Sequence, residues 1–117
     1  MTVRILIIDD EPRWVEFARS DLEKYEVVAV PDAKSALAKL DTGPFDLVIV
    51  NSRRLDALEA IRQKYAKQIV VTTVQPTTQE AIRAYRLGAA RYFAKSFGHR
   101  DLFKQVTEVI PAPTGAG

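Results

Sequence analysis

The run Phe45-Asp46-Leu47-Val48-Ile49-Val50, which stops at the polar Asn51, constrains this chain more than any other stretch. Leu47 to Val50 are uniformly apolar, too continuous for a strand with one wet face and too short for a buried helix. The segment therefore reads as a central parallel strand covered on both sides. Asn51 then lies at the strand's carboxyl end, where open α/β sheets place their ligands.

Four other runs share this character. Residues 3–8 are rich in β-branched side chains and end at Asp9-Asp10-Glu11, and Glu26–Val30 ends at Pro31-Asp32. Residues 69–74 end in hydroxyls, and Arg91–Ala94 leads into Lys95. Between the runs, apolar residues recur at helical spacing. Val15, Ala18, Leu22 and Tyr25 mark one helix, with Trp14 and Phe17 widening its face, and Ala36, Leu37 and Leu40 mark the next. Leu55, Leu58, Ile61 and Tyr65 mark a third, residues 79–87 a fourth, and Leu102, Phe103, Val106 and Ile110 a fifth, over residues 100–109. Pro12 suits a first helical turn, Asp32 and either Thr77 or Thr78 offer caps, and Gly88 offers a stop. Five strands alternating with five helices require right-handed crossovers, hence an α/β fold: a doubly wound (βα)5 parallel sheet of order 2-1-3-4-5. In that order the chain reverses between the first and third strands, so Asp9, Asp10, Glu11 and Asn51 gather at one crevice, bordered by Thr73 and Lys95.

The 117 residues suit one domain, expected over residues 1–110, with 111–117 as a flexible tail or linker stump. Seventeen Lys and Arg against 15 Asp and Glu leave a net charge of +2, too small a surplus to argue for nucleic acid or an anionic membrane. Cysteine is absent and His99 is the one histidine, which excludes thiol chemistry and argues against zinc. No apolar stretch approaches the roughly 20 residues that span a bilayer, and a cytoplasmic protein is expected.

Clustered carboxylates at strand ends make a hard-oxygen site of the kind magnesium prefers, and a nearby lysine can hold a phosphoryl oxygen. With Asp9-Asp10-Glu11, Thr73, Tyr92, Lys95 and the stretch Gly88-Ala89-Ala90-Arg91-Tyr92-Phe93-Ala94-Lys95-Ser96-Phe97, the chain resembles a response-regulator receiver domain of the CheY-like, flavodoxin-like fold. The resemblance implies an acidic pocket at Asp9, Asp10 and Glu11, a switch hydroxyl at Thr73, a switch aromatic at Tyr92 and an invariant-type lysine at Lys95. It also implies two-component signal transduction without enzymatic activity of its own.

Two departures shape the expected function. Asn51 stands where the family carries the aspartate that accepts phosphate, and an amide lacks the carboxylate oxygen that forms an acyl phosphate. Ser52-Arg53-Arg54 replaces the family's proline- and glycine-containing loop, and Ser96 replaces the proline after the lysine. The family pocket carries a formal charge of −2, whereas Asp9, Asp10, Asn51 and Lys95 carry −1, and an arginine turning inward neutralises it. A charge pair at ~4 Å is worth about 4 kcal/mol at an effective dielectric near 20, before desolvation. Arg53 or Arg54 is thus expected as an internal counter-charge in place of metal, with no cofactor and at most weak magnesium on Asp9 and Asp10.

The leading expectation is an atypical pseudo-receiver that acts through protein contact. Its partner, a signalling protein or a second copy, is expected on the face of the fourth helix, fifth strand and fifth helix, at Tyr85, Arg86, Tyr92, Phe103 and Lys104. The alternative is a magnesium-dependent receiver phosphorylated elsewhere, as on Ser52, or one in which Asn51 is an engineered replacement of aspartate; the altered loop argues against engineering. A small phosphohydrolase using Asp9 lacks a second catalytic aspartate at the right spacing. A nucleotide-binding module lacks the glycine-rich loop.

Overall fold

The computed structural model describes residues 2–65 and 68–111, with residues 63–65 as backbone only. Among these, the β-branched runs form β1 (Arg4–Ile8), β2 (Glu26–Val30), β3 (Leu47–Asn51), β4 (Ile69–Thr73) and β5 (Arg91–Ala94). The segments of helical periodicity form α1 (Pro12–Asp21), α2 (Ala33–Leu40), α3 (Leu55–Tyr65), α4 (Thr78–Arg86) and α5 (Asp101–Thr107). A 3-10 turn at Ser52–Arg54 joins β3 directly to α3. The strands are parallel and ordered β2-β1-β3-β4-β5, the expected sheet.

Successive side chains of a strand point to opposite faces, and the core divides accordingly. Leu6, Ile8, Val48, Val50, Ile69 and Val71 meet Ala36, Leu40, Leu58, Ile61 and Ala84, so α2, α3 and α4 cover one face. Ile5, Ile7, Leu47, Ile49 and Val70 meet Trp14, Ala18, Leu22, Leu102 and Val106, so α1 and α5 cover the other. Burial on both sides explains why β3 and β4 carry no exposed position.

Local chemistry sets the helix ends. Pro12 opens α1, Asp32 accepts the Ser35 N–H at 2.8 Å, and Thr77 Oγ1 accepts the Glu80 N–H at 3.1 Å. After α4, Gly88 takes φ of 102°, a value that an L side chain resists. In α1 the inward stripe centres on Trp14 and Ala18, and Val15 sits at its half-buried margin. Leu22 and Tyr25 are buried as expected but lie beyond the helix. Leu37 is half-buried beside Ala36 and Leu40. The Tyr65 side chain, and residues 112–117 of the expected tail, lie outside the described residues.

Candidate functional site

Sheet register builds the crevice. Ile5 pairs with Leu47 and Ile7 with Ile49, so the two-residue period carries Asp9 and Asn51 to opposing positions just beyond β1 and at the end of β3. Asn51 Nδ2 donates to Asp9 Oδ1 at 3.1 Å, and Asn51 Oδ1 accepts the Arg53 N–H at 3.2 Å, which starts the 3-10 turn. The amide thus works at both ends: its oxygen does what a carboxylate would, and its NH2 group does what a carboxylate cannot. Asp9 and Asn51 are both buried.

Lys95 reaches the same spot from β5, whose end is fixed by the Lys95 N–H donating to the Thr73 carbonyl at 2.7 Å. Its Nζ lies 2.8 Å from Asp9 Oδ2 and 3.2 Å from Glu11 Oε2, with the Trp14 ring centroid 5.3 Å away. Asp9 Oδ1 also accepts the Glu11 N–H at 2.9 Å. The buried carboxylate therefore meets a cation on one oxygen and two N–H donors on the other, the conditions under which a buried charge is tolerated.

Of the two arginines expected as a counter-charge, Arg54 pairs with Asp10, and Arg53 lines the crevice beside Asp10, Glu11 and Asn51. Arg54 Nη2 lies 3.1 Å from Asp10 Oδ2, while Arg53 is exposed and reaches Asn51 through its backbone alone. A 3-10 turn places successive side chains about 120° apart, so the two adjacent arginines meet the crevice from different directions. The Arg54–Asp10 pair is partly exposed and contributes at most about 1 kcal/mol, yet it occupies one of the two carboxylates expected for a metal.

Thr73 borders one cavity with Glu80, a residue not among the expected site residues, and Tyr92 bonds to that same glutamate. Thr73 Oγ1 accepts from Ser52 Oγ at 3.1 Å and from the Gln75 N–H at 3.3 Å. Tyr92 donates its hydroxyl to Glu80 Oε1 at 2.6 Å and accepts the Thr77 N–H at 3.2 Å. Burial works to raise the Glu80 carboxyl, but the Tyr92 hydrogen bond, with the Thr73 and Ser52 hydroxyls close by, outweighs it and holds it below the ordinary glutamate value. Burial, and then the Glu80 carboxylate, push the Tyr92 phenol upward. The spacing Thr77-Thr78-Gln79-Glu80, a capping-box pattern, was the available signal for Glu80.

Of the expected partner face, Tyr85 is half exposed, Arg86 and Lys104 are exposed, and Tyr92 lies partly buried against α4. Phe103 is a correction: its ring centroid lies 6.0 Å from that of Tyr25, on the α1 side of α5. The cause is Asp21 at the end of α1, whose carboxylate accepts the Arg100 N–H at 2.6 Å and the Phe103 N–H at 2.9 Å and draws the first turn of α5 toward α1. Ser96, where a proline was expected from the resemblance, organises the β5–α5 loop by donating to Asp101 Oδ2 at 2.6 Å and accepting the Gly98 N–H at 3.2 Å.

Magnesium demands near-octahedral oxygen ligands. The donor set does not fit a tight site of that kind: Asp9 is committed to Lys95 and to N–H donors, Asp10 to Arg54, and the Asn51 oxygen to Arg53. Among the described residues no group of three or more metal-ligating side chains converges. Nor is any of their helices long and apolar enough to cross a membrane.

Residues 5–107 match the family model described as the response regulator receiver domain. Response regulator ArlR of Staphylococcus epidermidis is 30% identical over 91% of this chain and 52% of its own length. The alkaline phosphatase synthesis transcriptional regulatory protein PhoP of Bacillus subtilis is 28% identical over 94% of this chain and 49% of its own. The chain thus spans about half the length of these curated relatives. The chemotaxis protein CheY4 of Vibrio cholerae superposes with a TM-score of 0.87 at 22% identity, covering 94% of this chain and all of its own.

Proposed function

We propose that this chain, which belongs to the response regulator receiver domain family, is a pseudo-receiver: a signalling module that works by protein contact and does not take phosphate in the family's usual way. The observation that carries the reading is the Asn51 amide, which donates to Asp9 from the position where an acceptor carboxylate is expected. Acyl phosphate formation needs a carboxylate oxygen as nucleophile, and the amide supplies none. Arg54 supports the reading from the other side of the crevice, since its guanidinium engages Asp10 where a divalent ion would otherwise draw on that carboxylate. In this reading divalent ions bind weakly at most, the chain is no enzyme, and a signalling protein or a second copy docks on the surface of α4, β5 and α5. Tyr85, Arg86, Tyr92 and Lys104 are its proposed contacts.

Ser52 favours one second reading, in which its hydroxyl, 3.1 Å from Thr73 Oγ1 at the crevice edge, serves as a substitute acceptor. Incubation with acetyl phosphate and magnesium, followed by intact-mass measurement, decides between the two. The pseudo-receiver shows no added phosphoryl mass. A stable gain lost in Ser52→Ala establishes the substitute acceptor, and a gain that persists in Ser52→Ala and is released by hydroxylamine, as an acyl phosphate is, overturns both.

A further inference from the structure

A capping box normally closes on itself: the N-cap hydroxyl accepts the N–H three residues on, and the glutamate there reaches back to the N-cap N–H. At α4 only the first half forms directly, with Thr77 Oγ1 accepting the Glu80 N–H at 3.1 Å. The second half is opened by a side chain from β5. The Thr77 N–H donates to the Tyr92 hydroxyl at 3.2 Å, and that hydroxyl donates to Glu80 Oε1 at 2.6 Å. Tyr92 is thereby inserted into the start of α4 as the bridging atom of its cap. The separation of 2.6 Å suits an O–H donating to a charged oxygen.

The same carboxylate looks back toward the crevice. Thr73 Oγ1 already accepts from Ser52 Oγ and from the Gln75 N–H, so both of its lone pairs are filled and its own hydrogen is left to donate. Glu80 accepts the Tyr92 phenol at 2.6 Å and lines the same cavity as the Thr73 and Ser52 hydroxyls. The cavity these residues line, about 350 Å³ and bounded also by Asn51, Arg53 and Gln75, links the end of β3 to the start of α4.

We infer that Glu80 is a positioning residue that pins the Tyr92 ring to the start of α4, and so holds the α4–β5 surface in one arrangement with no phosphoryl group in the crevice. A fixed carboxylate holds the Tyr92 phenol, which would otherwise donate to water. The inference deepens the proposed function and rests on its assignment of that surface to partner contact.

The test labels the four tyrosines with 3-fluorotyrosine and follows their fluorine NMR lines, with Tyr92 assigned by its loss in Tyr92→Phe. The parent is expected to show one narrow Tyr92 line that beryllofluoride with magnesium does not move. Glu80→Ala should shift and broaden that line and speed exchange of the Thr77 amide by about tenfold, the loss of a charge-assisted hydrogen bond network. Glu80→Gln keeps an acceptor oxygen and should largely restore both readouts. An unmoved Tyr92 line in Glu80→Ala, or a Glu80→Gln variant indistinguishable from it, overturns the inference. If Glu80→Ala does not fold, Tyr92→Phe carries the test, because it removes the acceptor of the Thr77 N–H; unchanged Thr77 exchange then overturns the inference. Phosphoryl mass gained from acetyl phosphate, with Glu80→Ala still shifting Tyr92, would instead sink the pseudo-receiver reading and leave the Glu80 pin standing.

Discussion

Asn51→Asp exchanges the donor that faces Asp9 for a second carboxylate, and its cost follows from the geometry. Asn51 Nδ2 lies 3.1 Å from Asp9 Oδ1, so an isosteric carboxylate sets two negative oxygens at that separation. At an effective dielectric of 20 the repulsion is about 5 kcal/mol, and the lost hydrogen bond to a charged acceptor adds about 1.5–3 kcal/mol. Lys95, 2.8 Å from the other Asp9 oxygen, and rotation of the new side chain offset part of this. We expect a net loss of roughly 3–4 kcal/mol at pH 7 in chelator-treated buffer, a large share of the ~5–15 kcal/mol typical of a domain. The closely spaced carboxylates retain a proton in the folded state at pH values where the unfolded chain has released it. The folded variant therefore binds more protons, and its deficit relative to the parent shrinks as pH falls from about 7 toward 4. Millimolar magnesium should shrink it as well, since a ligand that binds the folded state alone stabilises it. Urea unfolding followed by the emission of Trp14, the one tryptophan, measures all three. An Asn51→Asp variant with the parent's midpoint at pH 7, without divalent ions, would refute the claim that the amide donor is built into the crevice.

Two further substitutions probe the supports of the site. Lys95→Met keeps the length of the stem but strands the buried Asp9 carboxylate, and should cost about 3–5 kcal/mol; adding Asp9→Asn should recover part of it, a coupling that a double-mutant cycle measures and that additive losses would exclude. Asp21→Ala removes the acceptor of two N–H groups at the start of α5, and should cost about 1–2 kcal/mol, with amide exchange accelerated at Arg100 and Phe103 and unchanged at β3.

The layered sheet was legible because it rests on period and punctuation, which are properties of neighbouring residues. Leu47 to Val50 are apolar at every position because helices cover both faces, and Pro12, Asp32, Thr77 and Gly88 mark helix ends through their own backbone preferences. Convergence of Asp9, Asn51 and Lys95 was legible as well, since strand order alone carries their strand ends together. Which arginine pairs with Asp10 was not: Arg53 and Arg54 are adjacent and chemically identical, and only the handedness and pitch of a three-residue turn separate them. Phe103 was misplaced for a similar reason. Its spacing says that it lies on the apolar side of α5, but an acid 82 positions earlier in the chain, Asp21, sets how that helix is turned.

The chain's own chemistry thus determined the fold class, the crevice and the amide that ends β3, all of which follow from residue type, local spacing and strand count. Tertiary structure decided how the polar groups are spent. Asn51 donates to Asp9, Arg54 engages Asp10, and Tyr92 completes the cap of α4 through Glu80. The physical reason is range. A hydrogen bond is made or lost within a few tenths of an ångström, and its partners here lie 12 to 44 residues apart, so their pairing depends on how the elements pack and not on any short stretch of sequence.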